Sequence, residues 1–175
     1  DQAVSRASDS LSYVYRLDEK YWLMMLDSCM CEPVHETGGK LSEETVAWMK
    51  TQLEEAKKQG VTVIPVSHHN LLDESTLYPE ECTIENTKEV TALLEAYGVP
   101  VYLSGHLHLQ RIKKHTSNLN TPGGYGIREI VTSPLPMAPC QYSILNWQAD
   151  GSLSYHTKKV DIAGWAQRYG EEDEN

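Results

Sequence analysis

Three short apolar runs, separated by helical patterns, restrict this chain to a layered α/β fold. Tyr21-Trp22-Leu23-Met24-Met25-Leu26, Val61-Thr62-Val63-Ile64-Pro65-Val66 and Val99-Pro100-Val101-Tyr102-Leu103 each read as a buried strand. Between the first two, Ser42 is suited to cap a helix, and Glu43 and Glu44 suit its first turn, where acidic groups meet the positive end of the helix dipole. Val46, Met49, Leu53 and Ala56 then recur at three- and four-residue spacing, and Lys57, Lys58 and Gly60 close the segment. A second helix is expected from about 84 to 97, with Val90, Leu93, Leu94 and Tyr97 on one face and Gly98 as its stop. Strands alternating with helices in this way build layered sheets. The first run is apolar on both faces, so it reads as a central strand. Pro65 has no N–H to donate, which predicts an edge or a bulge there.

The flanks are less regular. Residues 1–10 are polar and expected to fray, 12–17 read as a strand, and Asp18-Glu19-Lys20 as a turn. Residues 28–41 and 70–82 read as loops. Beyond residue 104 no helix is expected. Strands are predicted over 110–116, 127–132, 142–147 and 153–160, with Asp150-Gly151 turning a hairpin between the last two. The acidic tail 170–175 is expected to be disordered. At 175 residues the chain reads as a single domain, 1–175.

Two of the strands end in paired histidines. The second is followed by His68-His69-Asn70, the third by Gly105-His106-Leu107-His108. If the backbone stays extended, side chains two residues apart share a side, so His106 and His108 are expected to face one pocket. Neutral imidazole is a common metal ligand, and two such pairs at one sheet edge predict a shared metal site. His35 and His156 read as ordinary histidines. Trp22, Met24 and Met25 read as core, and Tyr13, Tyr15 and Tyr21 as strand packing. Arg111, Lys113, Lys114 and His115 read as a solvated strand face. Cys29-x-Cys31, with His35 near, does not have a standard zinc spacing.

Composition narrows the partners. The net charge of -10 argues against nucleic acid and anionic membrane surfaces. No apolar run reaches the roughly 18 residues of a membrane span. Four cysteines in a chain this long are no disulfide framework. The chain opens on Asp1 rather than Met, so it is expected to be a processed form or a fragment, soluble, and either cytoplasmic or exported within a longer precursor.

A strand ending in His68-His69, a helix, then a strand ending in Gly105-His106-x-His108 resembles the calcineurin-like metallophosphoesterase family, in order of elements from about residue 12 to 160. The resemblance implies a partial calcineurin-like four-layer fold, α/β (α+β), half of a β-sandwich with flanking helices. It implies a hydrolase of phosphomonoesters or phosphodiesters, with a small-molecule phosphoester as substrate. The complete enzyme would hold two divalent ions, Mn, Fe or Zn. His68 and His106 would bind one ion and His108 the other, while His69 and Asn70 would meet substrate. Asn70 stands where many members have Pro. The family's Asp-x-His, Gly-Asp-x-x-Asp and Gly-Asn-His-Asp/Glu motifs are not found in residues 1–67. The chain therefore reads as the C-terminal half of a catalytic domain, expected to bind at most one ion weakly and to be weakly active or inactive. A bare half-domain face would favour self-association. The alternative reading is a non-catalytic scaffold or interaction domain that kept the fold and lost the chemistry.

Overall fold

The computed structural model describes residues 2–31, 36–74, 79–115, 126–148 and 150–170. The expectations for His35 and for the tail beyond residue 170 lie outside these residues. A seven-stranded mixed sheet runs through the middle of the fold. In chain order it is built from β1 (Ala3–Arg6), β2 (Tyr13–Arg16), β3 (Tyr21–Leu26), β4 (Thr62–Ser67), β5 (Val101–Ser104), β6 (Arg111–Lys114) and β7 (Arg128–Val131). Their spatial order is β1-β2-β3-β4-β5-β7-β6. Strands β3, β4, β5 and β7 pair in parallel, β2 pairs antiparallel with both β1 and β3, and β6 pairs antiparallel with β7. β8 (Gln141–Trp147) and β9 (Leu153–Lys159) pair as a separate hairpin.

Alternation along β3 explains the layers. Trp22, Met24 and Leu26 are buried on one face, where they meet α1 (Glu43–Gln59) and α3 (Thr87–Ala96) through Met49, Leu53, Val90 and Leu94. Tyr21 and Leu23 point the other way, toward Ile64, Val101 and Ile130, under Leu145, Trp147, Leu153 and Tyr155 of the hairpin. Tyr21 and Trp147 rings lie 5.0 Å apart, tilted by 44°. Helices thus cover one sheet face and the hairpin the other, as expected for a sheet apolar on both sides.

The ends of α1 follow from its sequence. Ser42 Oγ accepts the Thr45 amide at 2.9 Å, and Gly60 adopts φ 68 at the far end. Ser42→Ala should lower stability by about 1 kcal/mol in thermal unfolding, the usual cost of losing an N-cap.

Several expectations are corrected. Residues 3–6 do not fray, because β2 offers them an open edge. α3 starts at Thr87 rather than near 84, since Ile84 bridges Gly39 and Asn86 takes the cap position. A four-residue helix, α2 (Pro79–Cys82), sits within the predicted 70–82 loop. A final helix, α4 (Ile162–Tyr169), follows the last strand, with Asp161 accepting the Gly164 amide at its start. None of its residues is buried, so no core pattern announced it. Pro65 occupies an inner strand, not an edge. Thr62 N donates to Lys20 O on the β3 side, so by period two the nitrogen of residue 65 faces β5. There the ladder is reduced to the single pair Val66↔Leu103, while the β3 side keeps six. The missing donor falls where little pairing exists to lose.

Candidate functional site

The parallel strands β3, β4, β5 and β7 all end at one edge of the sheet, where open α/β sheets present their ligand sites. β4 ends at Ser67 and delivers His68. The neighbouring β5 ends at Ser104 and delivers Gly105-His106. The Gly105 amide donates to His68 O at 3.0 Å and ties the two loops together. His68 Nε2 and His106 Nδ1 stand 2.8 Å apart. One nitrogen donates and the other accepts, so at least the accepting imidazole is neutral. Partial burial, with the nearby His68 and His108, holds the His106 pKa below its ordinary value.

His106 and His108 do not lie on an extended backbone. Their φ angles are 63 and 54, left-handed values that non-glycine residues adopt at a cost. The i, i+2 argument for a shared side therefore does not apply. His106 meets His68, and His108 is exposed.

His69 and Asn70 turn inward. His69 is 3% exposed, with Nδ1 2.8 Å from Ser28 Oγ and Nε2 3.0 Å from Thr37 O. A carbonyl only accepts, so Nε2 carries the proton and Nδ1 takes the Ser28 hydroxyl hydrogen. Burial lowers the His69 pKa and keeps the ring neutral. Its two nitrogens are thus engaged within the protein. Asn70 is fully buried. Its Nδ2 donates to Ser104 Oγ at 2.9 Å and to Gly105 O at 3.2 Å, while Oδ1 has no partner among the described residues.

Sequence reasoning missed Ser28 and Glu129. Glu129 is fully buried on β7, where its carboxylate accepts the Leu71 amide at 2.7 Å, the Leu72 amide at 2.6 Å and the Ser104 hydroxyl at 2.5 Å. Burial raises its pKa to about 7 against the pull of these three donors. The available signal was an acid at an inward position. Ile127, Glu129 and Val131 alternate onto the same buried face.

The basic residues of β6 are not merely solvated. Arg111 Nε lies 3.0 Å from the buried carboxylate of Glu74, Arg111 Nη1 donates to Glu74 O at 2.7 Å, and Lys113 donates to Asp73 O. His115 Nδ1 is 2.8 Å from Glu95 Oε1. The Arg111 and Lys113 contacts pin the loop that leaves His68, whereas His115 is tied to α3. Cys29 and Cys31 are exposed and free. His156 is exposed on β9.

Among the described residues, no three His, Cys, Asp or Glu side chains converge to hold an ion. The facing pair His68 and His106 supplies two imidazole donors. A two-metal centre needs carboxylates to bridge its ions and offset their charge, and these residues do not assemble one.

No family model matches the sequence, and no curated protein matches it. Among solved structures, the fold is similar to a dimetal phosphatase from Danio rerio, with a TM-score of 0.57 and 14% sequence identity. The match covers 71% of this chain and 49% of that one, so this chain spans about half the length of its structural neighbour. The architecture is a mixed α/β fold consistent with part of a calcineurin-like α+β fold. Among the described residues, no helix is long and apolar enough to cross a membrane.

Proposed function

We propose that this chain carries the histidine side of a metal-dependent phosphohydrolase site of the calcineurin-like type. The observation that carries this reading is the contact of His68 with His106 across adjacent parallel strand ends, in a fold similar to a dimetal phosphatase. His68 and His106 would hold a divalent ion, with His108 as a further ligand on the same loop. The class of ion is Mn, Fe or Zn, and the complete centre would hold two. Such ions supply charge that offsets the developing negative oxygens of a phosphoryl group and lower the pKa of water. The substrate class is a small phosphomonoester or phosphodiester. The two loops present imidazoles at an open edge, while His69 and Asn70 brace them from within.

The scaffold reading draws on the lack of a converging carboxylate among the described residues. Calorimetry separates the two. Zinc or manganese should bind this chain weakly, more weakly still as pH falls and imidazole protonates, and His106→Ala should reduce affinity about tenfold or more. Equal affinity in both proteins would overturn the assignment of His106, and no binding at all would favour the scaffold. With an aryl phosphate and an aryl phosphodiester as substrates, this chain alone should turn over poorly. Robust metal-dependent turnover would mean that carboxylates such as Asp27 or Asp73 complete the centre.

A further inference from the structure

We propose that Glu129 is a positioning residue that sets the register between the His68 loop and the His106 loop. It sits on β7 beside β5, paired with Tyr102, separated from β4 by β5 and outside both histidine motifs. Its carboxylate accepts the amides of Leu71 and Leu72, which immediately follow His68-His69-Asn70. The same carboxylate takes the hydroxyl of Ser104, two residues before His106. Ser104 Oγ in turn accepts from Asn70 Nδ2, so the bonds close a circuit from Glu129 through one loop, across to the other and back. The His68–His106 contact of 2.8 Å forms only if the two loops keep their relative position within a few tenths of an ångström.

Few side chains could serve. Two consecutive amides and a hydroxyl all donate, so the hub must offer acceptors only, and a carboxylate does so with both oxygens. A glutamine would turn an NH2 toward one of the amides. An aspartate keeps both oxygens but is one methylene short. The circuit is buried, so each bond is strong and each loss leaves a buried donor unpaired.

The role rests on the proposed metal site only for its effect on metal affinity, so the test has two arms. The first is NMR of the metal-free chain, reading the His68 and His106 ring nitrogens and amide exchange at Leu71 and Leu72. Glu129→Gln should speed exchange at those amides about tenfold and move both ring signatures toward those of independent, solvent-exposed imidazoles, with the overall fold retained. Ser104→Ala should move the rings in the same sense by less, and it carries the test if Glu129→Gln does not fold. Glu129→Asp should restore part of the wild-type signature. Leu94→Ala is the control, because it weakens the same helix-side core while its side chain makes no hydrogen bond of the circuit. The second arm is cobalt(II) titration by absorbance, where Glu129→Gln should weaken binding about tenfold. Unchanged ring signatures in Glu129→Gln and Ser104→Ala, or equal changes in Leu94→Ala, would overturn the proposal. Absence of cobalt binding by the wild type would overturn the metal reading instead, and the first arm would still decide the role of Glu129.

Discussion

Alanine in place of Gly39 should cost this fold about 3 kcal/mol, a drop of about 6–12 °C in melting temperature for a chain of this size. A Cβ built at Gly39 would lie 2.5 Å from His69 Nδ1 and 2.8 Å from His69 Cβ. His69 cannot step aside cheaply. Its ring is buried and held at both nitrogens, by Ser28 and by Thr37. If the ring swings out, two buried hydrogen bonds are lost, at about 1 kcal/mol each. If the backbone moves instead, Gly39 gives up its bridges to Cys29 and Ile84 and the bond from Glu85 N to its carbonyl at 2.8 Å. Either route adds the 1–3 kcal/mol typical of overpacking. Thermal unfolding of Gly39→Ala, His69→Ala and the double variant checks the mechanism. Removing the ring removes the clash, so the double variant should be more stable than the sum of the single losses by more than 1 kcal/mol. Additive losses would place the strain elsewhere.

Glu129 should make stability fall as pH rises from about 4.5 to about 7, against the opposing rise contributed by His69 and His106, whose pKa values are lowered. Its ordinary pKa of 4.5 is raised to about 7 in the fold, chiefly by burial. The folded state then binds a proton that the unfolded state has already released, so in this window folding weakens with each unit of pH. A shift of this size corresponds to about 3 kcal/mol between the two ends of the window. Below pH 4.5 both states are protonated and the penalty vanishes; above 7 it is complete. Denaturant unfolding at half-unit pH steps measures the slope. In Glu129→Gln the slope over this window should shift in the positive direction, because glutamine does not titrate and the contribution of His69 and His106 remains. An unchanged slope in that variant would assign the titration to another group, and Glu74, whose pKa burial also raises, would be next to test.

Much of the frame is legible in the sequence, because it rests on neighbours along the chain. The ends of α1 were written in Ser42 and Gly60, and its buried stripe in Val46, Met49, Leu53 and Ala56. Periodicity and capping act over a few residues, so they can be read from a few residues. The three apolar runs became β3, β4 and β5 for the same reason, and the paired histidines therefore fell at strand ends on one edge. That edge, with His68 beside His106, is the part of the candidate site that local pattern determined by itself.

What the tertiary structure decided depends on residues far apart in the chain. Ala3–Arg6 became a strand because β2 stood ready to pair with it, although its own composition argued for fraying. Pro65 could lie inside the sheet because its nitrogen faces a gap in the β4–β5 ladder, a matter of register between two strands. His69 turned inward because Ser28 and Thr37, supplied by another loop, satisfied both ring nitrogens. His106 and His108 left the extended conformation, and with it the rule that would have aligned them. Glu129 met Leu71 and Leu72 across more than fifty residues of sequence, separations of 58 and 57. An acid in an apolar strand is readable as an oddity, but its partners are set by which strands lie side by side. Pairings of this kind are fixed by the shape of the packed core and by the need of every buried polar group to find a partner.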